Sequence, residues 1–466
     1  MFQGDRRGDT ICAVSSPHGV GGVSLIRVSG PQALSIVNSC LHKGFQNAVS
    51  HRVFLDFFLD REKQKVDQVL VTYFAEGKSF TGEEVIEISC HGSPFICQSI
   101  LNTLGELGAR PADRGEFSFR SFMNGKMDLT QTEGVLDLIQ SQSMASQRLA
   151  LRQLEGEFSK AISAIEDQVL WSVANLEAGI DFSTEGLDLQ NTDEICRRLK
   201  LAQESAQALL NQYHTGRILR DGLRVSIVGQ PNVGKSSLLN LIAQRDRAIV
   251  SDIAGTTRDT IETDVVFEGV KFTFVDTAGI HKQDTDVIEQ IGIEKAKKEM
   301  SSADVVVFVW DCRLGLNHLD LELLKSLKSS ELVLIGNKVD LVPSPRDLEL
   351  EREKVARALG AAHQEALFMS TKAGSSRDLV LKKILSTAGV HLGSQEALLA
   401  NSRHFALLSR ANEAIGNSID ELVMGQSAEF VAISLKEGLL ALQEIQGKYF
   451  DDQILDRVFK EFCIGK

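Results

Sequence analysis

The sequence lacks the marks of several classes of protein. Its seven cysteines are scattered over 466 residues without a C-x-x-C pair, so we expect neither a disulfide framework nor a zinc ribbon, and a reducing cytoplasm fits best. The longest apolar run, Val305–Trp310, is too short to cross a bilayer, and the first residues contain no apolar signal segment. We therefore expect neither membrane insertion nor secretion.

An excess of basic charge is also missing. The chain has 50 basic and 63 acidic residues, a net charge of −13, which argues against a broad surface that holds nucleic acid by counterion release. Any nucleic-acid contact should be local or shared with a partner. The contents of 43% hydrophobic and 24% charged residues are those of a folded globular chain, and the length suggests about three domains.

The pattern of apolar residues changes along the chain. Up to about Gly125, short β-branched runs alternate with Gly, Asp and Pro, which predicts a small α+β domain at residues 1–125. The strands predicted there are Ile11–Val14, Val23–Val28, Val53–Leu59, Val69–Phe74 and Val85–Ser89, with a helix at Phe95–Leu107. Beyond Lys126, apolar residues recur every three or four positions, the period of a helix with one buried face; these are Ile162, Ile165, Val169, Val173 and Leu176.

A different pattern occupies the region from Leu223 to about Leu385. Continuous β-branched runs alternate there with amphipathic segments, as in a parallel sheet covered on both faces. The predicted strands are Arg224–Val228, Lys271–Val275, Val305–Trp310, Leu332–Ile335 and Ala366–Met369. Because helical spacing returns afterwards, we predict an α-helical domain in two parts, residues 126–216 and 386–466, split by an inserted α/β domain at 217–385.

A phosphate-binding motif follows the first strand of this α/β region. Gly229–Ser236 fits G-x-x-x-x-G-K-[ST] between a strand and a helix. The glycines permit a tight backbone path, and consecutive N–H groups can surround phosphate oxygens. Lys235 adds a positive charge, and the Ser236 hydroxyl can bind Mg²⁺. The residues predicted to contact the nucleotide here are Asn232, Val233, Gly234, Lys235, Ser236 and Ser237.

Two further motifs follow later strands in the order that a GTPase requires. The first is Asp276, Thr277, Ala278 and Gly279, suited to Mg²⁺ and a γ-phosphate. The second is Asn337, Lys338, Val339 and Asp340, whose carboxylate can accept two hydrogen bonds from a guanine edge. We therefore expect GTP as the ligand. The series resembles the translation-factor-related branch of P-loop GTPases, with Ser370, Thr371 and Lys372 in place of Ser-Ala-Lys.

The residue after the second motif is Ile280, where Ras-like enzymes carry the glutamine that orients the attacking water. Hydrolysis therefore needs another source of positive charge. A loop rich in hydroxyl and carbonyl oxygens offers sites for Mg²⁺, through Thr257, and for a monovalent cation; its residues, all predicted to contact GTP, are Ser251, Asp252, Ile253, Ala254, Gly255, Thr256 and Thr257.

Motifs outside the α/β region widen the resemblance. These motifs are Gly21–Gly30, Ser79–Glu84, Val85–Ile88, His91–Gly92, Arg114–Ser118, Asn124–Leu129 and the closing Phe462–Lys466. Together with the inserted GTPase motifs, they make the chain resemble the MnmE (TrmE) family of tRNA modification GTPases over nearly its whole length.

The resemblance implies a homodimer with an N-terminal folate-binding domain and a potassium-activated GTPase domain. It also implies an FAD- and NADH-dependent partner of the MnmG (GidA) kind, in a heterotetramer that acts on tRNA. Together they would add a (carboxymethyl)aminomethyl group to C5 of the wobble uridine. The carbon would come from 5,10-methylene-tetrahydrofolate, with 5-formyl-tetrahydrofolate as the other folate expected to bind, and the nitrogen from glycine or ammonium.

The resemblance also assigns roles to individual residues. Folate would contact Arg27, Glu87, Lys126 and Lys466; potassium would bind Asn232, Ser251, Ile253 and Thr256, and magnesium Ser236 and Thr257. Glu289 would orient the attacking water, and Cys463 is a candidate catalytic thiol. Each has a plain alternative: the folate residues as solvated surface charges, Glu289 as an acid at a helix start and Cys463 as a small buried hydrophobe.

Two other functions remain open at this level. A ribosome-assembly or regulatory switch GTPase would need the nucleotide motifs but neither folate nor Cys463. A structural scaffold would bind the nucleotide without hydrolysing it. Folate binding separates the leading hypothesis from the first alternative, and measurable GTP turnover separates it from the second.

Overall fold

The computed structural model describes residues 8–45, 47–183, 192–243, 262–276, 303–326, 331–359, 366–373, 376–390, 397–450 and 452–465. The chain divides into two compact units. The first, here the tail unit, comprises Met1–Leu136, Gln153–Glu204 and Leu407–Lys466; the second, here the nucleotide unit, comprises Asp137–Arg152 and Ser205–Ala406. In the described part of the chain, no helix is both long and apolar enough to span a membrane.

The tail unit contains a six-stranded sheet with the order β3-β4-β5-β2-β1-β6. Its strands are β1 Ile11–Val14, β2 Gly21–Ser29, β3 Arg52–Leu59, β4 Lys65–Phe74, β5 Val85–Gly92 and β6 Arg110–Pro111. The pairs are antiparallel except β1 with β6. The five predicted strands are confirmed, because alternating apolar side chains of β2, β4 and β5 are buried in one core with two helices, α1 Ala33–Ser39 and α2 Pro94–Glu106.

The described part of the chain contains thirteen further α-helices. Their bounds are α3 Glu116–Met123, α4 Leu129–Gln140, α5 Met144–Leu154, α6 Glu157–Ser183, α7 Thr192–Leu210, α8 Tyr213–Asp221, α9 Lys235–Ala243, α10 His318–Ser326, α11 Pro345–Leu359, α12 Arg377–Thr387, α13 Ser402–Val423, α14 Ala428–Gln446 and α15 Asp452–Lys460.

The two distant helical regions meet in the tail unit. Helix α14 packs along α6, and the amide of Gln446 donates to the carbonyl oxygen of Ser159 at 2.7 Å. The predicted stripe on α6 is buried, from Ile162 at 0% to Leu176 at 5% exposure. Helical segments some 280 positions apart therefore share one core.

The nucleotide unit contains the predicted sheet, in the order β12-β11-β10-β7-β9-β8. Its strands are β7 Leu223–Val228, β8 Glu262–Phe267, β9 Val270–Asp276, β10 Val305–Asp311, β11 Glu331–Asn337 and β12 Leu367–Phe368. All pairs are parallel except β8 with β9. The edge strand β8 was missed by the sequence analysis, because an edge strand need not carry the continuous apolar run of a central parallel strand.

Strand β10 shows why both faces of this sheet are covered. Every residue of Val305–Asp311 is buried. Val307 packs in a cluster with α9 and α12, whereas Phe308 packs in another with α10 and α11. Since the parallel strands end at one edge, the loops after β7, β10 and β11 are brought together there.

Candidate functional sites

The phosphate loop depends on two glycines for its close backbone contacts. Gly229 has φ +149°, and a Cβ there would lie 2.1 Å from the carbonyl oxygen of Val309. Gly234 has φ +108°, and its Cβ would lie 2.1 Å from Nδ2 of Asn337. Neither position accommodates a side chain. Lys235 begins α9, and its ammonium donates to the carbonyl oxygens of Gly229 at 2.8 Å and Gln230 at 2.9 Å.

The segment after β11 is fastened to this loop. Asn337, only 1% exposed, donates from Nδ2 to the carbonyl oxygen of Val233 at 2.8 Å. Its Oδ1 accepts the backbone N–H of Thr371 at 3.1 Å. Asn337 therefore connects three loops. Because Thr371 contributes its backbone, replacing the usual alanine by threonine leaves this contact in place.

Asp340 has the properties expected of an acceptor for a base edge. Its side chain is exposed, and a hydrogen bond from the Ser370 hydroxyl, followed by the charges of Lys372 and Lys338, lowers the pKa of its carboxyl. The carboxylate is thus ionised at neutral pH and has free acceptor capacity, as recognition of guanine N–H donors requires.

Lys338 spans the space between the two loops. Its ammonium donates to the carbonyl oxygen of Asn232 at 2.5 Å and to Oδ2 of Asp311 at 2.8 Å. Asp311 ends strand β10 and is 4% exposed. Sequence reasoning missed Asp311, which ends the apolar strand β10 as Asp276 ends β9.

Two of the predicted cation ligands lie in the described part of the chain. Asn232 and Ser236 are exposed on the phosphate loop and at the first turn of α9, and both offer the neutral oxygen donors that potassium and magnesium accept. Asp276 ends β9 at the same sheet edge. The other predicted residues lie outside the described part of the chain: Ser251, Asp252, Ile253, Ala254, Gly255, Thr256, Thr257, Thr277, Ala278, Gly279, Glu289 and Lys466.

A second candidate site lies in the tail unit. Arg27 of β2 and Glu87 of β5 are direct cross-strand partners, joined by hydrogen bonds of 2.6 and 3.0 Å to Oε1. The guanidinium lies 5.4 and 5.7 Å from the ring centroids of Phe80 and Phe117. The side chains of Arg27 and Glu87 are only 12% and 23% exposed, so the interpretation of this pair as solvated surface charges is wrong.

Lys126 differs from that pair. It is exposed, and its ammonium donates to the carbonyl oxygen of Gly77 at 3.0 Å. A Cβ on Gly82 would lie 3.2 Å from Cγ of Lys126, so the lysine stem lies against the loop that also carries Phe80. The donor set, a charged pair beside aromatic rings with a nearby lysine, suits a flat heteroaromatic ligand that also carries carboxylates.

The C-terminal segment docks onto the same unit. The backbone N–H of Gly115 donates to the carbonyl oxygen of Cys463, Arg114 and Ile464 form an isolated antiparallel bridge, and the Ser15 hydroxyl donates to the carbonyl oxygen of Gly465 at 3.0 Å. Cys463 is exposed, which contradicts its interpretation as a buried hydrophobe. Ala13 of β1 is the partner of Arg27, and Ser15 follows Ala13 by two residues, or roughly 7 Å of extended chain, just beyond the end of β1.

A buried ionic network supports this docking surface. Glu116, 2% exposed, accepts hydrogen bonds from Arg110 at 2.7 Å and Arg120 at 3.0 Å, and Arg120 also pairs with Glu83. Burial by itself would raise the pKa of Glu116. Hydrogen bonds from Arg110 and the backbone of Asp113, with the charges of both arginines, outweigh burial and lower that pKa.

The fold and the nucleotide site together define a multidomain P-loop GTPase. In a comparison with protein families, residues 10–126 match the GTP-binding protein TrmE N-terminus, and residues 129–463 match the MnmE helical domain.

Curated relatives match over the full length. A tRNA modification GTPase MnmE from Bdellovibrio bacteriovorus is 49% identical over 100% of this chain and 99% of its own. Proteins of the same description from Christiangramia forsetii and Thermotoga maritima are 37% and 34% identical, each over 98% of this chain and 99% and 100% of their own. The chain belongs to the MnmE family.

Proposed function

We propose that this protein is a potassium-activated GTPase that works with an FAD- and NADH-dependent partner. Together they add a (carboxymethyl)aminomethyl group to C5 of the wobble uridine of certain tRNAs. The observation that carries the proposal is the joining of the phosphate loop to the guanine-binding segment, through Asn337 to Val233 and through Lys338 to Asn232.

The proposed work of the nucleotide unit starts from these contacts. Lys235 exchanges its bonds to Gly229 and Gln230 for phosphate oxygens, since a backbone carbonyl is a weaker partner for an ammonium than a phosphate. Asp340 accepts from the base. When bound, magnesium at Ser236 and Thr257 and potassium at Asn232, Ser251, Ile253 and Thr256 supply positive charge beside the terminal phosphates. Glu289 orients the attacking water.

The tail unit supplies the proposed folate site. Glu87 accepts hydrogen bonds from a pterin edge while Arg27 holds Glu87 in place, and Lys126 and Lys466 attract the carboxylates of the ligand. The bound reduced folate supplies the one-carbon unit. Cys463, exposed on a segment fixed by Gly115 and Ser15, is available as a nucleophile at that site.

The domain organisation proposed with this function is 1–125 for folate binding and dimerisation, 126–216 and 386–466 for the helical domain, and 217–385 for the GTPase. The net charge of −13 supports a tRNA surface shared with the partner in a cytoplasmic heterotetramer. The partner would be expected to contribute basic surface that this chain lacks.

The deciding experiment is mass spectrometry of wobble uridine in tRNA from cells lacking this protein. Loss of the modified nucleoside, restored by the wild-type chain but not by Lys235→Ala, is the expected result. If cells lacking the protein contained as much modified wobble uridine as wild-type cells, the proposed cellular role would be overturned.

Two measurements on the purified chain separate the parts of the proposal. GTP turnover should collapse when Na⁺ replaces K⁺, and equal rates in the two salts would reject activation by potassium. Reduced folate should bind the full chain, and Arg27→Ala should weaken that binding at least ten-fold, whereas Arg52→Ala, an exposed arginine on β3, should not. Normal GTP turnover without folate binding would favour the switch GTPase.

A further inference from the structure

Asp311 stands between two loops of the nucleotide site without belonging to any motif. It ends β10, opposite Asn337 in the parallel register of β11, and it is 4% exposed. An ionised carboxylate at that depth requires partners. Oδ1 accepts the backbone N–H of Arg313 at 3.0 Å, whereas Oδ2 accepts the ammonium of Lys338 at 2.8 Å and, at 3.4 Å, the guanidinium of Arg313.

Lys338 cannot easily take this position by itself. Its backbone lies in the left-handed region at φ +63°, which is unfavourable for a side chain other than glycine or asparagine. A long lysine stem also loses rotamer entropy when its ammonium is fixed. The charge of Asp311 opposes both costs and aims the ammonium at the carbonyl oxygen of Asn232, 2.5 Å away.

We infer that Asp311 is a positioning residue for guanine-nucleotide binding and acts through Lys338. Its carboxylate holds the lysine across the mouth of the site, so that the phosphate loop and the guanine-binding segment form one preorganised surface. Without that charge, Lys338 keeps its bond to the carbonyl oxygen of Asn232 but loses its ion pair. The inference deepens the proposed function and rests on it, because it concerns affinity for GTP and GDP.

The two oxygens of Asp311 allow a selective variant. Asp311→Asn keeps an oxygen for the N–H of Arg313, and therefore the turn after β10, but it presents an amide donor to the ammonium of Lys338. A matched control is Glu351→Gln: Glu351 is also buried, at 5% exposure, and accepts the backbone N–H of Leu316 at 3.0 Å on the same loop.

The test is a double-mutant cycle with the full chain and a fluorescent GDP analogue. Asp311→Asn should weaken binding about ten-fold, the loss expected for one charge-assisted hydrogen bond, and Glu351→Gln should stay within two-fold of wild type. In a Lys338→Met background, Asp311→Asn should have no further effect beyond two-fold. The melting temperatures of the nucleotide-free proteins check that the turn is intact.

Two outcomes overturn the inference. Binding by Asp311→Asn within two-fold of wild type means that the carboxylate does not position Lys338, and an undiminished ten-fold loss in the Lys338→Met background means that Asp311 acts through the fold alone. Failure of the wild-type chain to bind the GDP analogue would instead reject the proposed function itself, so the two failures are distinguishable.

Discussion

The nucleotide site and the Arg27–Glu87 site are assembled in different ways. In the nucleotide unit, the described segments of the site follow the parallel strands β7, β10, β11 and β12, so short contiguous motifs supply the chemistry and the sheet edge brings them together. In the tail unit, single residues come from strands, loops and the C-terminal segment, and packing brings them together. Binding at the nucleotide site should therefore depend on residues of the local motifs, whereas the Arg27–Glu87 site should depend on core contacts between residues far apart in the chain.

The largest effect should come from removing a core contact of the tail unit. Phe462 is 1% exposed and packs on Phe459, with ring centroids 5.5 Å apart. Phe462→Ala should destabilise the fold by about 3–5 kcal/mol, because the C-terminal segment loses its anchor and a cavity remains. Urea denaturation measures the loss. Phe95→Ala, at an 83% exposed phenylalanine of the same unit, should change stability by less than about 0.5 kcal/mol. Equal losses of stability in the two variants would contradict the dependence of the tail unit on its core contacts.

A substitution in the phosphate loop should lower activity at the nucleotide site and leave the Arg27–Glu87 site unchanged. Lys235→Ala should lower GTP turnover on the order of 10²- to 10³-fold, the loss expected when one preorganised positive group is removed from a charged transition state. Folate binding should remain at the wild-type level. Lys382→Ala, at an exposed lysine of the same unit, serves as the control in steady-state turnover assays. Loss of both activities in Lys235→Ala would show that the two sites do not fail separately.

Acid should destabilise the tail unit, because Glu116 becomes protonated. Its folded-state pKa is lowered, so the ionised network stabilises the fold above the unfolded carboxyl pKa of about 4.3, and this stabilisation is lost as pH falls through the folded pKa. Glu116→Gln should cost about 1.5–3 kcal/mol at pH 7 and less in acid. Urea midpoints between pH 3 and 7 measure the difference, with exposed Glu106→Gln as control. A pH-independent difference would contradict the assignment.

The smallest effect distinguishes backbone from side-chain contacts in the guanine-binding loop. Thr371→Ala should change GDP affinity by less than two-fold, because the contact to Asn337 comes from the backbone N–H. Ser370→Ala should weaken binding by about five-fold, since its hydroxyl bonds to Asp340. Titration with a fluorescent GDP analogue compares them. A larger loss in Thr371→Ala than in Ser370→Ala would reverse the assignment of roles.

Much of the nucleotide unit could be predicted because its signals are local. The run Val305–Trp310 is apolar throughout, as a strand covered on both faces must be, and the motifs of Gly229–Ser236 and Asn337–Asp340 each contain their own chemistry. Strand β8 was missed because it lies at the edge of the sheet, where β9 is its one partner among the described strands. Asp311 was missed because a single acid after a strand has no partner until the sheet register sets it opposite Asn337.

The sequence by itself determined most of the strands and the phosphate and guanine loops, since periodicity and contiguous motifs depend on near neighbours along the chain. Only the tertiary structure decided that Arg27 pairs with Glu87, that Cys463 is exposed on a docked segment and that Asp311 holds Lys338. Those facts join residues 27 to 450 positions apart, and their energies arise from burial and charge pairing that exist only after the chain has folded.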